Sequence, residues 1–127
     1  MNITEDYCSY EVVKLLKEKG FNEPCYRWYD TKGDVWENFI SSDIPLDYSS
    51  REYYLCPSQS MAMKWLRENH NIFIQISAVL QDQPFGLHYR PSIQDYHAYA
   101  RHDNFSEYVT YEEAVEAALK YSLENLI

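Results

Sequence analysis

Residues 72–80 read IFIQISAVL, and their alternation decides the fold. Ile72, Ile74, Ile76, Ala78 and Leu80 fall on one face of an extended chain. Phe73, Gln75, Ser77 and Val79 fall on the other. A period of two over this length predicts a β-strand. QDQP (81–84) turns the chain, and FGLHYR (85–90) returns with Phe85, Leu87 and Tyr89 inward and His88 and Arg90 outward. Strands joined by so short a turn pair antiparallel.

Upstream, CPSQSMAMKWLRENHN (56–71) predicts a helix with Pro57 in its first turn, where a missing N–H does no harm. Met61, Ala62, Trp65 and Leu66 form its apolar stripe; Lys64, Arg67 and Glu68 lie away from it. Downstream, TYEEAVEAALKYSLENLI (110–127) opens with a capping box, Thr110 with Glu113 three residues on. Val115, Ala118, Leu119, Ser122 and Leu126 follow helical spacing, and small Ala114, Ala117 and Ala118 permit close approach to a sheet. Glu112, Glu113 and Glu116 complement the N-terminal dipole.

Near the start, SYEVVKLLKEKGF (9–21) predicts a helix capped by Ser9 and stopped by a left-handed Gly20, with apolar Phe21 behind it. CYRWYDTKGDVWENFI (25–40) predicts a hairpin with Gly33 at positive φ. It places Tyr26 and Trp28 on one face and Arg27 and Tyr29 on the other. SSDIPLDYSSREYY (41–54) is polar, carries Pro45 and predicts a long loop.

The order is α-β-β-α-β-β-α. It predicts an α+β single domain over residues 1–127, with one antiparallel sheet of about four strands and three helices on one face. The length of 127 residues suits one core, and 46% hydrophobic with 17% aromatic residues is too apolar for disorder. The longest apolar runs, such as IFI and AVL, fall far short of the roughly 20 residues a membrane span needs. The start, MNITEDYCSYEVVKLLKEKG, lacks an apolar signal region, so a cytoplasmic setting is expected.

Two of these stretches, CPSQSMAMKWLRENHNIFIQI (56–76) and TYEEAVEAALKYSLENLI (110–127), together with VVKLLKEKGF (12–21), resemble a family of small uncharacterised proteins. These are encoded by Bacteroides-type gut bacteria and their phages and prophages. The resemblance touches most of the chain, but through caps, stripes and a strand. It implies an intracellular setting and an origin in a mobile element or its host, and no activity.

Composition narrows the function. A net charge of −9 opposes phosphate binding, so no nucleic-acid partner is expected. Cys8, Cys25 and Cys56 are odd in number and widely spaced, which predicts reduced, mostly buried thiols. His88, His97 and His102 lack zinc-motif spacing, so no metal is expected. Gly20, Gly33 and Gly86 are the only glycines, too few for a phosphate-cradling loop, and no cofactor is expected. Cys56 at a helix start is the one candidate nucleophile, since the dipole lowers a thiol's pKa there. The carboxylates Glu5, Asp6, Glu37, Glu112 and Glu113 sit where helix starts and solvated faces favour acids. No catalytic residue is assigned.

Tyrosine is the unusual count, 13 of 127. Tyrosines give large contact area at low entropic cost and mark binding surfaces. Tyr26, Tyr89 and Tyr111 are expected to finish the core. The expected binding surface is Tyr48, Tyr53 and Tyr54 in the long loop with His88, Arg90, Tyr96, His97 and Tyr99 in HYRPSIQDYHAYARHD (88–103). The leading reading is a non-enzymatic acidic domain that binds another protein. The alternatives are a small metal- or thiol-dependent enzyme using Cys56 or the three histidines, and an acidic mimic of nucleic acid that blocks a DNA-binding protein.

Overall fold

The computed structural model describes residues 4–37, 48–82 and 85–127. It is α+β, with helices α1 (Tyr10–Glu18), α2 (Gln59–His70) and α3 (Tyr111–Asn125). Its strands are β1 (Arg27–Asp30), β2 (Val35–Glu37), β3 (Tyr53–Cys56), β4 (Ile72–Asp82), β5 (Phe85–Asp95) and β6 (Ala100–His102). They form two antiparallel three-stranded sheets, β2-β1-β3 and β4-β5-β6, instead of the single sheet expected.

Local chemistry sets the helix ends. Ser9 Oγ accepts from the Val12 N–H, and Ser58 and Thr110 do the same for Met61 and Glu113. Ser58 being the cap of α2, Pro57 lies just before the helix and not in its first turn. At the end of α1, Phe21 N–H reaches Leu16 O and Gly20 N–H reaches Lys17 O, with Gly20 at φ +99°. Asn71 takes the left-handed position after α2.

In the β1–β2 connection Asp30 organises the turn. Its Oδ1 accepts from the N–H groups of Lys32 and Asp34, and its Oδ2 from Trp36 Nε1. Gly33, at φ +86°, lies under the Tyr10 ring, where an added Cβ would come within 3.3 Å of it. β3 pairs with the other edge of β1, Trp28 facing Leu55. Its first two residues, Tyr53 and Tyr54, fall within the segment expected to be loop. The rest of that segment, up to residue 47, lies outside the described residues.

α1 packs on β3 and on α3, and α3 packs on β4 and β5, so the helices join the two sheets. Val12, Val13, Leu16, Phe21, Leu55, Leu66, Ile72, Ile93, Val115, Leu119 and Leu123 form the buried centre. β4 and β5 pair in register over their full length, from Ile72↔Asp95 to Asp82↔Phe85. β6 covers only Ile93–Asp95 of β5. The hairpin therefore outruns its packing partners. Ile72 is buried and Ile74 and Ile76 are half-buried, but Leu80 is 62% exposed and Leu87, expected inward, is 54% exposed. Tyr26 and Tyr111, expected to finish the core, are also exposed. No helix among the described residues is long and apolar enough to cross a membrane.

Candidate functional site

Of the tyrosines of the long loop, Tyr48 is buried and Tyr53 and Tyr54 are half-buried. Tyr48 is 5% exposed, and its hydroxyl accepts from the Leu55 N–H at 2.8 Å. Burial pushes that hydroxyl well above the usual tyrosine range, so it stays protonated. The rings of Tyr48, Tyr54 and Tyr53 surround the ammonium of Lys17, with centroids 4.5, 5.0 and 5.8 Å from Nζ. Lys17 Nζ also donates to the carbonyl oxygens of Arg51 and Tyr53. Desolvation lowers the Lys17 pKa. The expected binding residues are thus a cage for the chain's own lysine.

The second group is spread along one sheet. His88 is half-buried on β5 opposite Val79, and exposed Arg90 pairs with Glu107. The β5–β6 turn is built by Asp95, a buried carboxylate accepting from the N–H groups of His97 and Ala98. Tyr96 packs edge-on against Phe73. Tyr99 is 94% exposed at φ +55°, a left-handed conformation disfavoured for a bulky side chain. His102 on β6 lies within hydrogen-bond reach of the Tyr121 hydroxyl, 3.3 Å from Nδ1, and is not a bare surface residue. Among the described residues, no three His, Cys, Asp or Glu side chains are arranged to hold a metal ion.

Cys56 ends β3, buried, two residues before the cap of α2. Its thiol donates to the Cys8 carbonyl oxygen at 3.3 Å. Burial pushes the thiol up to about 12, against a smaller lowering by Arg27, and burial pushes Cys25 up to about 12 as well. Cys8 is pushed well above the usual thiol range by burial. These are not activated nucleophiles.

A cleft of about 640 Å³ lies elsewhere, between the segment before α1, the start of β1, the start of α2 and the N-terminal half of α3. It forms because residues 6–8 run beside residues 57–59: Gln59 N–H reaches Asp6 O, and Cys8 N–H reaches Pro57 O. Glu5, Asp6, Glu112, Glu113 and Glu116 line it, with Tyr7, Tyr29 and Tyr108. Glu116 forms the floor, accepting from Ser9 N–H, Ser9 Oγ and Gln59 Nε2. Loss of surrounding water, and then the like charge of Glu112, raises the Asp6 pKa. Among the described residues lining it, Arg27 is the one cation. Its guanidinium lies 4.4 Å from the Tyr7 ring centroid and pairs with Glu37 at 2.9 Å. Its buried Nε finds no acceptor among the described residues. The cleft therefore keeps an excess of negative charge beside aromatic walls.

In the sequence Glu5–Asp6 and Glu112–Glu113 are separate acidic pairs of the kind that helix starts and solvated faces favour. Nothing in their spacing brings them together or marks Arg27, Gln59, Tyr7 and Tyr108 as cleft residues. No local spacing carries that signal, because the walls come from both ends of the chain. Compared with protein-family models, with curated proteins and with solved structures, the chain matches none.

Proposed function

We propose that this protein is a non-enzymatic protein-binding domain, and that its acidic cleft receives a basic segment of the partner. The observation that carries the reading is the convergence of five carboxylates and three tyrosines on one concavity containing a single, already paired, arginine. Carboxylates held together gain from a cation placed among them, and tyrosine faces add cation–π attraction for lysine or arginine side chains. Three high-pKa thiols and scattered histidines give little support to an enzyme. An origin in Bacteroides-type bacteria or their phages, and an intracellular setting, belong to the same proposal.

Titration calorimetry with short lysine- and arginine-rich peptides tests it. Binding should weaken with added salt and in the double variant Asp6→Asn, Glu112→Gln, which keeps side-chain shape. No binding at low ionic strength, or equal affinity for the double variant, overturns the reading.

A further inference from the structure

β4 is the outer strand of its sheet, and among the described residues no strand pairs with its free edge. Two contacts show which backbone groups face that edge. Tyr96 N–H donates to Asn71 O, so even-numbered residues at this end of β5 face β4. Tyr89 N–H donates to Tyr108 O and Tyr89 O accepts from Tyr108 N–H, so odd-numbered residues of β5 face away. Pro91 is odd-numbered, and its missing N–H therefore removes no bond to β4. With Ala78 opposite Tyr89, the antiparallel alternation leaves Ile74, Ile76, Ala78 and Leu80 aiming their N–H and C=O groups outward.

Natural edge strands are usually blunted by charges, proline or a bulge. β4 has none of these before its last residue, Asp82: Ile72–Gln81 carries no charged residue and no proline, and its register with β5 is unbroken. Its apolar face emerges from the core at Leu80, directly opposite exposed Leu87.

We infer that β4 pairs with β4 of a second copy, antiparallel about a two-fold axis through Ser77, joining two three-stranded sheets into one. Two observations select a second copy. First, the sequence is self-complementary in this register. Ile74 of each copy falls opposite Leu80 of the other and Ile76 opposite Ala78, with like faces kept together, so the side chain left bare at one end is covered by the half-buried end of its mate. Second, every outward even-numbered group meets an outward even-numbered group, as an antiparallel ladder requires. The interface is isologous and closed, which limits assembly to a dimer.

Sedimentation velocity over a dilution series tests the inference, with circular dichroism as the check on folding. The wild type should dimerise reversibly. Ala78→Pro removes only an outward N–H and should give a folded monomer. Leu80→Lys should weaken the dimer by about tenfold or more. Hydrogen exchange on the wild type supplies a readout without substitution: the amides of Ile74, Ile76, Ala78 and Leu80 should gain protection as concentration rises, while those of Gln75, Ser77 and Val79 stay protected throughout. A wild type monomeric at every concentration overturns the inference and leaves the edge to a different chain. So does a dimer unmoved by both variants, or one that forms without added protection at the four outward amides.

Discussion

Glu116 on α3 receives both the backbone N–H and the hydroxyl of Ser9, the residue that caps α1, at 2.9 and 2.7 Å. The Ser9 hydroxyl in turn accepts from Val12 N–H, so one carboxylate fixes the cap that starts the first helix. Glu116→Ala leaves these donors without their charged acceptor. It should cost about 1.5–3 kcal/mol, the range for hydrogen bonds to a charged group. Glu116→Gln should recover only part, because its amide can turn a single acceptor oxygen to the two Ser9 donors. Urea unfolding of both variants measures the difference.

Trp65 is 8% exposed, packed edge-on against Phe21 with ring centroids 5.5 Å apart. Trp65→Ala should destabilise the fold by about 3–5 kcal/mol, the usual loss for a truncated core aromatic. A loss below about 1 kcal/mol in thermal or urea unfolding would mean that the cavity collapses or the ring contributes little.

Lys17→Met keeps the length of the side chain and removes the ammonium from among Tyr48, Tyr53 and Tyr54. Two carbonyl oxygens lose a donor and three rings lose a cation. Because the site is partly open to water, the expected loss is only about 1 kcal/mol. Tyrosine absorbance and near-ultraviolet circular dichroism should change with it, reporting the rings directly.

Native Cys8, Cys25 and Cys56 should react slowly with a disulfide reagent at neutral pH, since the reactive form is the thiolate. Adding denaturant should release all of them at the rate of free cysteine. Fast reaction of Cys56 in the folded protein would contradict the burial that raises its pKa to about 12.

Asp6 should titrate above its ordinary value of 3.8, and Glu112→Gln should bring it down by removing a like charge. The folded chain holds this proton to higher pH than the unfolded chain does. The contribution to stability is therefore complete below the ordinary Asp value and disappears as pH rises through the shifted one. Carbon-detected NMR of the side-chain carboxyl follows it directly.

What was legible in the sequence was local. Ser9, Gly20 and Thr110 act through neighbours within a turn, so their types and spacing sufficed to place helix ends. The alternation in 72–80 placed β4 for the same reason. Leu87 went wrong because its inward face is real, but the hairpin runs past the helix that would cover it. The burial of Tyr48, and the packing of Tyr53 and Tyr54 around Lys17, were hidden because the polar loop gives no sign of Lys17, which reaches Tyr53 O from 36 residues away. The cleft was invisible for the strongest version of that reason: Ser9 and Glu116 are separated by 107 residues.

The same long separation orders events in time. β4 and β5 are neighbours along the chain, so their ladder closes through a short loop, and α3 follows soon after to cover them. α1 has no such nearby mate. Its cap waits for Glu116 and its apolar stripe for Leu119 and Leu123, so the helix that comes earliest in synthesis is expected to dock last. Pulse-labelled hydrogen exchange during refolding should show β4–β5 amides protected ahead of those of α1.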